Sequence, residues 1–267
     1  ASASYSVNKS METSMQRLST GLRVNSAADD AAGHQIANRM TAEIMGLKQA
    51  IKNAADAQAL MGTAEGAIEE IQVMLLRMRE LAVQSSNATN STADKASLQL
   101  EAAQLETEIQ RTANNTTWAG KVLLNGTFSG DEDSAGRTFQ IGTDSGQTIE
   151  LSIPELTATA VTIGYSVALS IGSFTGAQSA IVTIDDGMST LANVRANIAS
   201  KMNRLDHTIA NLENVVTNLS QSKGRIMDAD YATETANLAR TQVLQQASMA
   251  MLAQANASKQ NILTLFQ

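Results

Sequence analysis

Residues 18–40 read LSTGLRVNSAADDAAGHQIANRM, and within them one helical pattern stops, turns and restarts as a much longer one. Upstream, Val7, Met11, Met15 and Leu18 recur at steps of four, four and three, the signature of an amphipathic helix with one apolar stripe. Gly21 interrupts that stripe. Asn25 and Ser26 have short polar side chains that can accept hydrogen bonds from the free N–H groups of a first helical turn. Asp29 and Asp30 add negative charge near its dipole-positive end, so the reading starts a second helix here.

Outward from this joint, Ile36, Met40, Ile44, Leu47 and Ile51, and then Leu60, Ala64, Ile68, Ile71, Leu75, Met78 and Ala82, continue within each series at steps of three and four. A pattern of that length points to a coiled coil or helical bundle, because a single globular helix usually stops sooner. The polar segment 85–94 has turn and capping chemistry. Leu98, Ala102, Leu105 and Ile109 then repeat the spacing in a shorter helix that can fold back antiparallel. After Trp118 the character changes: Phe139 and Ile141 alternate against Ile149, Leu151 and Ile153 across a Thr143–Gly146 turn, which reads as a hairpin. Residues 157–178 read as irregular or β structure. From Ile181 through Ile184, Met188, Leu191, Val194, Ile198, Met202, Leu205, Ile209, Leu212, Val216 and Leu219 the helical period resumes, with Gly224 read as its interruption. A last helical pattern runs from Leu238 to Phe266. The fold class is therefore mainly α: a long antiparallel coiled-coil rod formed by the N- and C-terminal segments, with a small β-rich central region at its tip.

Composition narrows the function. The 267 residues are 43% apolar with 3% aromatics and one proline, the vocabulary of long helices. A net charge of −7 argues against nucleic acid and anionic membranes, both of which need clustered Lys and Arg. The absence of cysteine removes disulfides, thiolate nucleophiles and Cys-based zinc sites. His34 and His207 lie on separate helical patterns and form no HExxH pair. Asp131, Glu132 and Asp133, with Asp144, lack the acidic and glycine alternation of a calcium loop and read as a solvated acidic turn. No nucleophile elbow, Walker loop or dinucleotide fingerprint is present. Catalytic residues, cofactor and metal are each read as none. No apolar run is long enough to span a bilayer.

The joint itself, the segment LRMRELAVQSSN at 76–87 and the tail RIMDADYATETANLARTQVLQQASMAMLAQANASKQNILTLF at 225–266 resemble bacterial flagellin. The resemblance covers Val7 to Gly126 and Ile181 to Phe266, and the middle is family-like only at the hairpin FQIGTDSGQTI. It implies an export substrate, secreted without membrane insertion, that assembles at the distal end of a growing extracellular flagellum into a helical tube for motility. On this resemblance residues 1–24 and 229–267 form the inner terminal helical domain and 25–133 with 181–228 the helical rod. Residues 134–180 are then a short variable central domain. The implied partners are other copies of the chain, an export chaperone, the cap protein and hook-associated proteins. Arg77 and Arg79 with Glu80 and Leu81 match the surface that host innate receptors recognise in some flagellins. The family also carries an amphipathic stretch ahead of the position of Tyr5, which implies a missing N-terminal piece and poor polymerisation without it.

Self-assembly is also expected from the stripes, since one terminal stripe buries too little apolar surface to offset the conformational entropy of ordering its own helix. The expected association residues are Val7, Met11, Met15 and Leu18 against Leu244, Met251, Leu252, Ile262 and Leu265, with both chain ends mobile in the monomer. Two rivals remain on sequence grounds. One is a hook-filament junction protein. The other is a surface adhesin presenting 128–178 to a polysaccharide, weakened by the few aromatic faces available there for stacking on sugars. An enzyme inserted in the middle lacks both length and catalytic groups.

Overall fold

The computed structural model describes residues 2–129, 136–158 and 169–265, with the side chains of 2–4 and 256–265 outside the description. Its described residues contain five α-helices: α1 (Ser2–Thr20), α2 (Ala31–Ser85), α3 (Thr92–Asn115), α4 (Phe174–Met227) and α5 (Tyr231–Leu265). Two short antiparallel pairs accompany them, β1 (Thr117–Trp118) with β2 (Lys121–Val122) and β3 (Arg137–Gln140) with β4 (Thr148–Leu151). The chain divides into two compact units, 46–214 and the combination of 1–45 with 215–267. The mainly α class read from the sequence is the class observed.

Within the unit 46–214 the core follows a strict seven-residue repeat. On α2 the buried series is Leu47, Ala50, Ala54, Ala57, Met61, Ala64, Ile68, Ile71, Leu75, Met78, Ala82 and Ser85, alternating steps of three and four, with Leu60 and Leu81 buried beside it. On α4 they are Ala177, Ala180, Ile184, Gly187, Leu191, Val194 and Ile198, then Leu205 and Leu212. Such a repeat keeps one seam facing the partner helix, the packing of a coiled coil. Polar pairs fix the antiparallel register: Gln58 to Asp206 at 2.7 Å, Arg195 to Glu65 at 2.8 Å and to Gln72 at 2.7 Å, and Arg79 forked onto Asp185 at 2.6 and 3.2 Å.

Helix α3 starts from a reciprocal cap. The Asp94 N–H donates to Ser91 Oγ at 3.2 Å, and the Ser91 N–H donates to Asp94 Oδ2 at 2.9 Å. Ala102, Ile109 and Ala113 then face the core. The expected hairpin is present, and its register sets Phe139 opposite Ile149. Ile149, Leu151 and Ile153 are buried, while Thr148 and Glu150 face out.

Asn53 of α2 donates to Gln140 O at 3.0 Å and Lys201 of α4 donates to Glu150 O at 3.1 Å, so the hairpin packs against both helices. The apolar alternation that predicts the hairpin says which face is buried but not what covers it. Three details differ from the sequence reading. Helix α4 begins at Phe174, inside the stretch read as irregular, because Ala177 and Ala180 extend the seam with small residues that carry little hydropathic signal. Gly224 does not interrupt α4, which continues to Met227. The third difference concerns the joint.

Helix α2 begins at Ala31, five residues beyond Ser26. Asp30 is its cap, its Oδ1 accepting the Gly33 N–H at 2.9 Å. A Cβ at Gly33 would fall 2.4 Å from Asp30 Oδ2, so the cap is built against a residue without a side chain. Asn25 and Ser26 are donors instead: their N–H groups converge on Asp29 Oδ2 at 3.0 and 2.8 Å and close a separate turn. Those bonds, the Ser26 backbone contribution foremost, hold the Asp29 carboxyl below the usual carboxylate range.

Candidate self-assembly surface

The surface lies in the unit formed by 1–45 and 215–267. Helix α1 ends where Gly21, at φ +72°, takes the left-handed conformation and donates its N–H to Arg17 O at 2.9 Å, which only glycine does without strain. The chain then runs antiparallel to the break between α4 and α5, with Leu22 bridged to Asp228. Arg23 N–H donates to Met227 O at 2.6 Å, and Ala229 N–H donates to Gly21 O at 2.9 Å. Arg23 Nη2 donates to Ile226 O at 2.6 Å. The two helix breaks thus satisfy each other's orphan backbone groups. Asp230 caps α5, accepting from the Ala232 N–H at 2.9 Å and the Thr233 hydroxyl at 2.9 Å.

Beyond the breaks α1 and α5 pair antiparallel. Tyr231 donates to Leu18 O at 2.6 Å, Arg17 pairs with Glu234 at 2.9 Å, Ser14 donates to Glu234 at 3.0 Å and Gln245 donates to Asn8 at 2.9 Å. The buried members of this seam are polar: Ser14 and Glu234. Burial pushes the Glu234 carboxyl up, but the hydrogen bonds from Arg17 and Ser14 and the charge of Arg17 outweigh it and leave the carboxyl below its ordinary range.

The predicted stripe is brought together in part. Val7, Met11 and Leu18 are half-buried toward α5, whereas Met15 is exposed and Ser14, one residue away, takes the buried position. Leu244, Met251 and Leu252 are exposed, as are Val243 and Met249, which are not among the expected association residues. Ile262 and Leu265 lie outside the described side chains. Helices α1 and α5 pair within one chain, in the antiparallel sense read for the two ends of the sequence. That pairing runs through Ser14, Arg17 and Glu234, and the signal for it was a serine and an arginine sitting at helical spacing beside an apolar stripe.

In the other unit, Arg77 binds Glu101 at 2.8 Å and Glu80 at 2.6 Å, all three side chains partly exposed. Leu81 is 0% exposed and packs with Ala82, Ala102 and Ala177, so it belongs to the core and not to the surface matched with Arg77 and Glu80. Asp131, Glu132 and Asp133 lie outside the described residues. Among the described residues no three His, Asp or Glu side chains gather as a metal site, and no helix is long and apolar enough to cross a membrane.

The model of the bacterial flagellin N-terminal helical region matches residues 2–129 and that of the C-terminal helical region matches residues 181–266. The chain belongs to the bacterial flagellin family. A flagellin of Halalkalibacterium halodurans is 43% identical over 96% of this chain and 92% of its own length. A flagellin of Bacillus subtilis is 37% identical over 97% of this chain and 94% of its own. The crystal structure of Bacillus cereus flagellin, 31% identical, superposes with a TM-score of 0.52 over 60% of this chain and 88% of its own. A protein described as flagellar hook-associated, from Vibrio parahaemolyticus, superposes with a TM-score of 0.64 over 75% of this chain at 17% identity, a likeness of fold alone. This flagellin is a structural subunit of the extracellular flagellar filament, is exported, polymerises with copies of itself and is not an enzyme. The adhesin and junction-protein readings are not favoured.

Proposed function

We propose that the subunit joins its neighbours through the sides of the α1–α5 pair that the pair itself leaves uncovered, with Met15, Val243, Leu244, Met251 and Leu252 as contact residues and Val7, Met11 and Leu18 supporting them. Ile262 and Leu265 extend the same surface on sequence grounds. The observation that carries this is Val243, 65% exposed, next to exposed Leu244, although α5 is already paired with α1 at that level through Asn8 and Gln245. A helix that stays apolar on its free side after pairing has surface left to bury. In the filament, 1–24 and 229–267 form the inner layer, 25–133 with 181–228 the rod, and 134–180 the outward part. The export chaperone, cap protein and hook-associated proteins are the further partners proposed. A host innate receptor is proposed to meet Arg77 and Glu80, with Leu81 holding the helices beneath them.

Seeded elongation of the complete protein tests the assembly face. Val243→Ser with Leu244→Ser should leave the monomer's helical circular dichroism unchanged and slow elongation at least tenfold. Elongation at the wild-type rate would remove the face.

A further inference from the structure

Twelve methionines are distributed unevenly between core and surface. Met61 and Met78 are sealed in the coiled-coil seam, while Met249 at 64%, Met251 at 70% and Met15 at 49% exposure are carried on the terminal helices. A thioether on the surface is open to two-electron oxidants, and its sulfoxide is polar where the methionine was apolar. We propose that Met15, Met249 and Met251 are oxidation sites whose conversion to sulfoxide, by a hydroperoxide, prevents the free subunit from joining a filament. Once joined, the same residues are shielded. This rests on the assembly face described above.

The step balances without a further reactant. The sulfur lone pair attacks one oxygen of hydrogen peroxide, the O–O bond breaks and an S–O bond forms. The sulfur is oxidised by two electrons, the peroxide is reduced, and the departing oxygen leaves as water. The three sulfurs lie on the helices that must be covered on assembly. Met45, 67% exposed and carried on α2 rather than on a terminal helix, serves as an internal control.

The test uses complete protein recovered from dissociated filaments, treated with hydrogen peroxide as monomer and as filament. Peptide masses of treated monomer should show one added oxygen at Met15, Met249 and Met251 before any at Met61 or Met78, and filaments should be protected at the first three. Treated monomer should elongate seeds at least tenfold more slowly, with recovery after methionine sulfoxide reductase. The triple variant M15L/M249L/M251L should elongate after peroxide at the same rate as it does untreated, despite sulfoxide at Met45. Normal elongation by monomer oxidised at all three positions, or peroxide sensitivity retained by the leucine variant, overturns the proposal. M15Q/M249Q/M251Q separates the two levels: if it fails to elongate while oxidised wild type succeeds, oxidation falls and the face stands. If it elongates like wild type, these methionines leave the face and the proposal falls with them.

Discussion

Glu234 sits between Arg17 and Ser14 in a seam whose other contacts are only half-buried, so its ionisation bears directly on whether α1 and α5 stay together. Its folded carboxyl lies below the ordinary value. The stabilisation from its charge is therefore present above the unfolded pKa of about 4.3 and is lost as pH falls through the lower folded value. Acidification below about 4 should loosen the α1–α5 pair, read as faster amide exchange in 5–20 and 231–250, and Glu234→Gln should be loose already at neutral pH and show little of that acid step. Equal acid dependence in the variant would assign the step to other carboxylates. At the joint, the cap reassignment makes a second residue-scale prediction. Asp30→Ala should lower stability to urea by about 1 kcal/mol, the usual worth of an N-cap, while Ser26→Ala changes it by less than about 0.5 kcal/mol. The reverse order would restore the cap expected from the sequence.

Among the elements, α2 and α4 hold an unbroken seam, whereas α5 keeps Val243, Leu244 and Met249 in solvent along its pairing with α1. Local opening should therefore be far easier in the terminal helices, since few buried apolar contacts oppose it. Hydrogen exchange on dilute monomer should find 231–255 exchanging at least a hundredfold faster than 60–78, and the difference should narrow in filaments. Slow exchange at 242–255 in the monomer would contradict this. The same contrast explains what the sequence made legible. Long aliphatic side chains at Ile68, Ile71, Leu75 and Met78 announce their period, and the hairpin's alternation announces its buried face. Alanines at 50, 54 and 57, and at 177 and 180, occupy seam positions with little hydropathy, so the seam was under-read at both places and the start of α4 was missed. The Arg17–Glu234 contact joins residues 217 apart through polar groups, and no local period encodes such a pair. Asp30 was read as favourable charge, but choosing among Asn25, Ser26, Asp29 and Asp30 for the cap needs the backbone of the turn, which the Asp29 hydrogen bonds fix.

For the whole molecule, the division of the core between the two units decides how it comes apart. The unit 46–214 holds the continuous cluster from Ala54 through Met78 to Leu205, with the hairpin residues Ile149, Leu151 and Ile153 packed into it. The unit of 1–45 and 215–267 has as its buried apolar side chains, among the described residues, only Val24, Ala37 and Ile44. Burial of a large aliphatic side chain contributes roughly 1.5–3 kcal/mol, so the second unit has little to resist opening. Both helices that enter it, α2 and α4, are already nucleated by the seam in the first, and removing their ends costs that seam little. Limited proteolysis of monomer should therefore trim the termini first and leave a resistant fragment spanning about 46–214, the backbone that native opening exposes least. Filaments should resist the same trimming if neighbouring copies cover the terminal helices through the proposed assembly face. Early cuts within 60–78 or 184–205, ahead of any in 1–20 or 231–255, would show that the seam is not the stable element and that the terminal pair folds as firmly as the rod.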